Sequence, residues 1–122
     1  MKLTGKCKEE FEKWFVVVFL KHSLNYYEST DKATKEYVRI DLKTFYTKNK
    51  SMQYGVYVDF FDSVGIYINS GKNSSNSIGH KYNYTVQQNG NIFYEEYFLE
   101  IKEPRDKSIE KADELRNEVL NK

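Results

Sequence analysis

Two carboxylates, Asp59 and Asp62, stand three residues apart, a spacing that sets them side by side on one face of a helix. With Glu95, Glu96 or Glu100 they could hold Mg²⁺ or work as an acid/base pair, the chemistry of a small metal-dependent hydrolase. They fit equally the wet face of an otherwise apolar helix. No phosphate-cradling glycine loop or basic clamp accompanies them, so the wet-face reading is preferred. Cys7 would need an oriented base to act as a nucleophile, and neither His22 nor His80 stands at a spacing that carries such a signature. It reads as a small apolar residue of the first helix. His22 reads as a helix-end residue and His80 as a hydrogen-bonded strand residue, because zinc needs three or four convergent ligands. Gly71-Lys72-Asn73-Ser74-Ser75 lacks the full phosphate-loop pattern and reads as a hairpin loop. No metal or cofactor is implied.

These residues depend on elements that the hydrophobic pattern marks out. Thr4 can cap a helix over residues 5–21, in which Cys7, Phe11, Trp14, Phe15 and Val18 recur at helical spacing. The β-branched run Val16-Val17-Val18 weakens its second half. Residues 22–35 read as loop. Alternation of Val38, Ile40 and Leu42 with charged or polar neighbours predicts a strand over 37–43. Ser51 can cap a second helix, in which Met52, Val56, Phe60 and Val64 form a stripe widened by Tyr57 and Phe61, and Gly65 supplies a left-handed stop. A strand then starts at Ile66. Another runs over 78–87, Asn89-Gly90 makes a tight turn, and a third returns over 92–101. Pro104 opens a last helix whose buried stripe is Ile109, Ala112, Leu115, Val119 and Leu120. The expected fold is therefore α+β, in the order α-β-α-β-β-β-α. Its three- or four-stranded antiparallel sheet would carry helices packed on one face.

The chain has 122 residues, a length that suits a single domain over 1–122. With 19 Lys+Arg against 18 Asp+Glu it is nearly neutral, unlike a strongly basic nucleic-acid binder. Residues 1–50 are net +4 and residues 51–122 net −3. The longest apolar run, residues 15–20, falls far short of the roughly 20 residues of a membrane span, and acidic residues stand where a secretory signal would turn apolar. The chain is read as cytoplasmic, without membrane contact. From residue 51 onward the order α-β-β-β-α is also that of the double-stranded-RNA-binding domain. In that segment three basic residues at the start of the last helix are offset by two acidic ones, and the net charge opposes phosphate contact. Nucleic-acid binding is therefore the alternative, not the leading reading.

The stretches Met52-Gln53-Tyr54-Gly55-Val56 and Asp59-Phe60-Phe61-Asp62-Ser63-Val64-Gly65, with Ser108-Ile109-Glu110-Lys111-Ala112-Asp113-Glu114, resemble a group of small uncharacterised phage and prophage proteins. The opening, residues 3–14, is also similar to their start. Residues 22–50 and 70–92 are where the chain goes its own way, and residues 103–108 match more loosely. The resemblance implies a viral or prophage origin and action in the bacterial host cytoplasm. It carries over no catalytic residue.

What stands out in the composition is 11 Tyr beside 8 Phe and one Trp. Tyrosine is favoured at interfaces because it joins apolar area to a hydroxyl. Phe and Trp fall mostly on helical stripes, whereas many tyrosines fall on strands. The expected contact surface is an uncovered sheet face with Tyr67, Asn69, Lys81, Asn83 and Thr85, together with Tyr94 and Tyr97. Its expected partner is a host or phage protein. A homodimer is also open, through edge pairing of the strand expected at 37–43.

Overall fold

The computed structural model describes residues 1–72, 82–98 and 102–122. Among the described residues five α-helices and a π-helical segment accompany a three-stranded antiparallel sheet, an α+β fold. The helices are α1 (Gly5–Trp14), α2 (Leu24–Glu28), α3 (Lys32–Tyr46), α4 (Lys50–Ser63) and α5 (Lys102–Leu120). The strands β1 (Ile66–Lys72), β2 (Tyr82–Gln88) and β3 (Asn91–Phe98) lie between α4 and α5. No helix among the described residues is long and apolar enough to cross a membrane.

The element order agrees with expectation apart from residues 22–46. The expected strand over 37–43 is the middle of α3, and part of the expected loop is α2. Asp31 caps α3 by accepting from the Thr34 amide at 3.1 Å, and Val38 and Phe45 are buried with Leu42 packed beside them. Positions 38 and 42 satisfy both a two-residue and a helical period, while Ile40, which only the strand pattern needs inside, is exposed. Edge pairing through 37–43 is therefore ruled out as a route to a dimer.

The first helix changes character where β-branched residues crowd it. Residues Phe15–Phe19 are π-helical, and the Leu20 amide bonds the Phe15 carbonyl five residues back at 2.9 Å. The wider turn lets Phe15 and Val16 both enter the core and stacks Phe19 on Phe15 with ring centroids 5.2 Å apart. For α4 the cap is Asn49, which accepts from Met52 N at 2.9 Å, and not Ser51, whose hydroxyl accepts from Arg105. Gly65 stops the helix at φ 82°, as its position suggested.

Helix α4 is the centre of the molecule. Gln53, Tyr54, Val56, Tyr57, Phe60 and Phe61 are all buried, on more than one side of the helix. A helix apolar nearly all round must be enclosed by other elements. On one side Tyr57 and Phe60 meet Phe11 of α1 at 4.9 and 5.3 Å, and Phe45 of α3 meets Phe11 at 5.3 Å. On the other side α4 packs on β1 and α5. Helix α5 lies across all three strands, and its Ile109, Ala112 and Leu115 join Ile66, Ile68, Tyr84 and Val86 of the sheet in the core.

The sheet is a meander in the order β1-β2-β3, with Ile68 opposite Val86 and Val86 opposite Tyr94. Asn89 and Gly90, at φ 54° and 79°, form the β2–β3 turn expected from that dipeptide. Next to it the register shifts, since Val86 pairs with Tyr94 but Gln87 with Ile92, leaving Phe93 as the extra residue of a bulge. Residues 73–81 and 99–101, including His80 and Glu100, lie outside the described residues.

Burial pushes the pKa values of the Tyr57 and Tyr84 phenols up to about 12, from an ordinary value of 10.0. The folded state thus keeps protons that the unfolded chain releases above pH 10, so stability falls as pH rises from there through about 12. Melting temperature measured across that window should drop, and Tyr57→Phe should make the drop shallower. An identical drop in the variant would remove Tyr57 as a source.

Candidate functional site

One face of the sheet is covered by α4 and α5, and the other is left open by the described residues. Because side chains directly opposite one another in an antiparallel pair share a face, the register places Tyr67 with Gln87, Asn69 with Thr85, and Thr85 with Glu95 on the side opposite the core. Tyr67 is 50 % exposed and Asn69 is exposed; Asn83 and Thr85 are half-buried. Four of the expected contact residues, Tyr67, Asn69, Asn83 and Thr85, are thereby brought together. Lys81 lies outside the described residues. Tyr97 is opposite Asn83 in the backbone pairing, but its side chain lies outside the described part.

Tyr94 belongs to the opposite phase. It stands across from buried Val86, packs against the core, and has the Lys111 ammonium of α5 at 4.8 Å from its ring centroid. That is a cation–π contact beneath α5, so Tyr94 is removed from the open face. The strand expected over 92–101 carried aromatics on both faces, and only the bulge at Phe93 fixes which of them point outward. Ile92, opposite Gln87, is 56 % exposed and Phe93 is 49 % exposed. Sequence reasoning passed over both. Their signal was a pair of large apolar residues directly after a tight turn, where a core needs at most one.

Asp59 and Asp62 are both exposed, at the end of α4 that meets β1. They line a cleft of about 390 Å³ together with Val58, Tyr67, Ile68 and Asn69. The carboxylate pair therefore adjoins the open face instead of forming a separate centre. Among the described residues no three of His, Cys, Asp and Glu converge as metal ligands would. Glu95 and Glu96 lie on β3, at the far edge of the sheet from β1.

Cys7 is buried, and burial, reinforced by the Asp113 carboxylate, pushes its thiol pKa far up, the reverse of an activated nucleophile. His22 stacks on Tyr26 with ring centroids 4.2 Å apart, and its Nε2 is 3.7 Å from Asp41 Oδ2. Tyr26 donates its hydroxyl to the same Asp41 oxygen at 3.0 Å. This small cluster ties the segment after the π-turn to α3.

Comparison with known protein families, curated proteins and solved structures finds no match to this chain. Its own geometry must then carry the functional reading. Three basic residues in the first half of α5, Arg105, Lys107 and Lys111, are engaged within the protein. Arg105 lies 5.3 Å over the Tyr54 ring and donates to Ser51 Oγ, Lys107 is 3.6 Å from Glu110, and Lys111 pairs with Glu114 besides covering Tyr94. A phosphate backbone would have to compete with each of these contacts.

Proposed function

We propose that this chain is a small phage or prophage accessory protein that acts by binding a host or phage protein through the open face of its sheet. The viral or prophage origin rests on the resemblance of the central and last helices. The observation that supports the binding mode is the grouping of Tyr67 and Ile92, each at least half exposed, around polar Asn69 and Thr85 on a face that no element among the described residues covers. Large apolar and aromatic groups inside a polar rim are the anatomy of a protein interface. The Asp59–Asp62 cleft extends this surface and gives it an acidic border.

Capture of a partner from bacterial lysate, read by mass spectrometry, should be abolished in a Tyr67→Ala, Ile92→Ala double variant. Both side chains are outside the core, so stability should change by no more than about 0.5 kcal/mol for each. Equal capture by wild type and variant would sink the proposal, as would loss of folding. Retention on RNA or DNA that weakens steeply with salt would favour the nucleic-acid reading instead.

A further inference from the structure

A cavity of about 270 Å³ lies where the start of the chain crosses the ends of α3 and α4, lined by Lys2, Leu3, Lys8, Tyr46, Gln53 and Tyr57. It is separate from the open sheet face. Its polar lining is rich in donors, the ammonium groups of Lys2 and Lys8 and the phenols of Tyr46 and Tyr57, with Gln53 Oε1 as an acceptor beside them. Lys8 is already drawn over the Tyr46 ring, 5.9 Å from its centroid. Gln53, itself buried, spends its amide N–H groups on the Tyr46 and Lys48 carbonyls at 3.1 and 2.8 Å, which fixes the wall of the cavity.

Tyr57 is the decisive residue. It is only 1 % exposed, its ring is packed by Phe11 and Phe45, and it still lines the cavity. Its hydroxyl makes no hydrogen bond to any other described residue. The hydroxyl is not sealed in the core and opens on the cavity, where it is free to donate to a ligand. Burial also keeps both phenols protonated, so each offers a proton and not a negative charge.

We infer that this cavity is a binding site for a small organic oxyanion, a carboxylate or phosphate carried on one flat apolar ring. The donors receive the oxyanion, while Leu3 and the tyrosine rings receive the apolar body. The volume, just under the roughly 300 Å³ at which ligand pockets begin, limits the body to about one ring. Two acids oppose the anion: Asp113, whose charge reaches Tyr57, and Glu12, whose charge reaches both phenols and whose own carboxyl is held up by burial and by Glu9 against the pull of Lys8. The effect of Glu12 gives the proposal a second, opposite sign to test.

Phenyl phosphate, benzoate and neutral benzyl alcohol would be titrated into the full chain by calorimetry, with NMR of the tyrosine rings. The anions should saturate with dissociation constants of about 1 mM or tighter and shift the Tyr57 and Tyr46 ring signals, while benzyl alcohol should not. Which anion binds more tightly identifies the headgroup. Lys8→Gln and Tyr57→Phe should each weaken binding about fivefold or more, and Glu12→Gln should strengthen it. Because the Tyr57 hydroxyl holds nothing in the protein together, Tyr57→Phe should fold with an unchanged melting temperature at neutral pH. Failure of both anions to saturate by about 10 mM, benzyl alcohol binding as well as benzoate, or affinity untouched by Lys8→Gln and Tyr57→Phe together would overturn the inference.

Discussion

Replacing Phe11 with Ala should lower the free energy of unfolding by about 3–5 kcal/mol, the largest effect of any single substitution in this protein. Phe11 is fully buried and its ring lies within 6.0 Å, centroid to centroid, of Trp14, Phe15, Phe45, Tyr57 and Phe60. Those rings come from α1, the π-turn, α3 and α4, so the void would open where four elements meet and no single one can shift to fill it. The transfer term for a buried phenyl is about 1.5–3 kcal/mol, and lost ring pairs add about 0.5–1.5 kcal/mol each in favourable geometry. Denaturant unfolding would measure the loss. A cost below about 1.5 kcal/mol would mean that the aromatic cluster is loosely packed and that the sheet side of α4 holds the fold alone.

The second large effect concerns the two ends of the described chain. Helix α1 begins without a cap of its own, for Thr4 occupies the cap position but gives its hydroxyl to Asp113 Oδ2 at 2.7 Å and its amide to Asp113 Oδ1 at 3.0 Å. The missing acceptor comes from α5, where Asn117 Oδ1 takes the Cys7 amide at 2.9 Å and Asn117 Nδ2 donates back to the Thr4 carbonyl at 3.1 Å. Gly5, at φ 54°, leaves room for this; a Cβ there would lie 3.1 Å from Asn117 Oδ1. One turn further along α1, Arg116 grips Glu10 through two bonds of 2.7 Å.

A double Asp113→Ala, Asn117→Ala variant should lose about 2–4 kcal/mol, since a cap contributes about 1 kcal/mol and orphaned hydrogen-bond partners about 1–3 kcal/mol. Both side chains act on Thr4, so the two single losses should not sum to the double one; a cycle should show coupling of at least about 0.5 kcal/mol. Hydrogen exchange offers the decisive readout. Amides of residues 4–8 should exchange much faster in the variant while those of α4 keep their protection. Uniform acceleration over the whole chain would instead show that the two ends have no stability of their own to lose.

What could be read from the residues, and what could not, follows from the range of the forces involved. Helix α4 was legible because its own stripe, from Val56 through Phe60 to the stop at Gly65, lies within one window. The Asn89-Gly90 turn and the alternation around Tyr84 and Val86 were legible for the same reason. Helix α3 was misread because Val38 and Leu42 suit two periods, and the cap at Asp31 that decides between them stood in a stretch taken as loop. Strand phase sets Tyr67, Asn69, Asn83 and Thr85 on one face, whereas Tyr94 falls on the other, because a one-residue bulge reassigns the faces and leaves no mark in composition. The contacts of Thr4 with Asp113 and Asn117 span 109 and 113 positions, beyond the reach of any local pattern.

That separation sets an order of events at the ribosome. At roughly 5–20 residues per second, Asn117 is added some 6–23 s after Thr4, and until it emerges the first turn of α1 lacks its protein acceptor for the Cys7 amide. The aromatic faces of α1 and α4 can meet earlier. Through that interval the nascent chain would hold a formed hydrophobic centre with a frayed first turn of α1, a segment open to a chaperone or protease acting during synthesis.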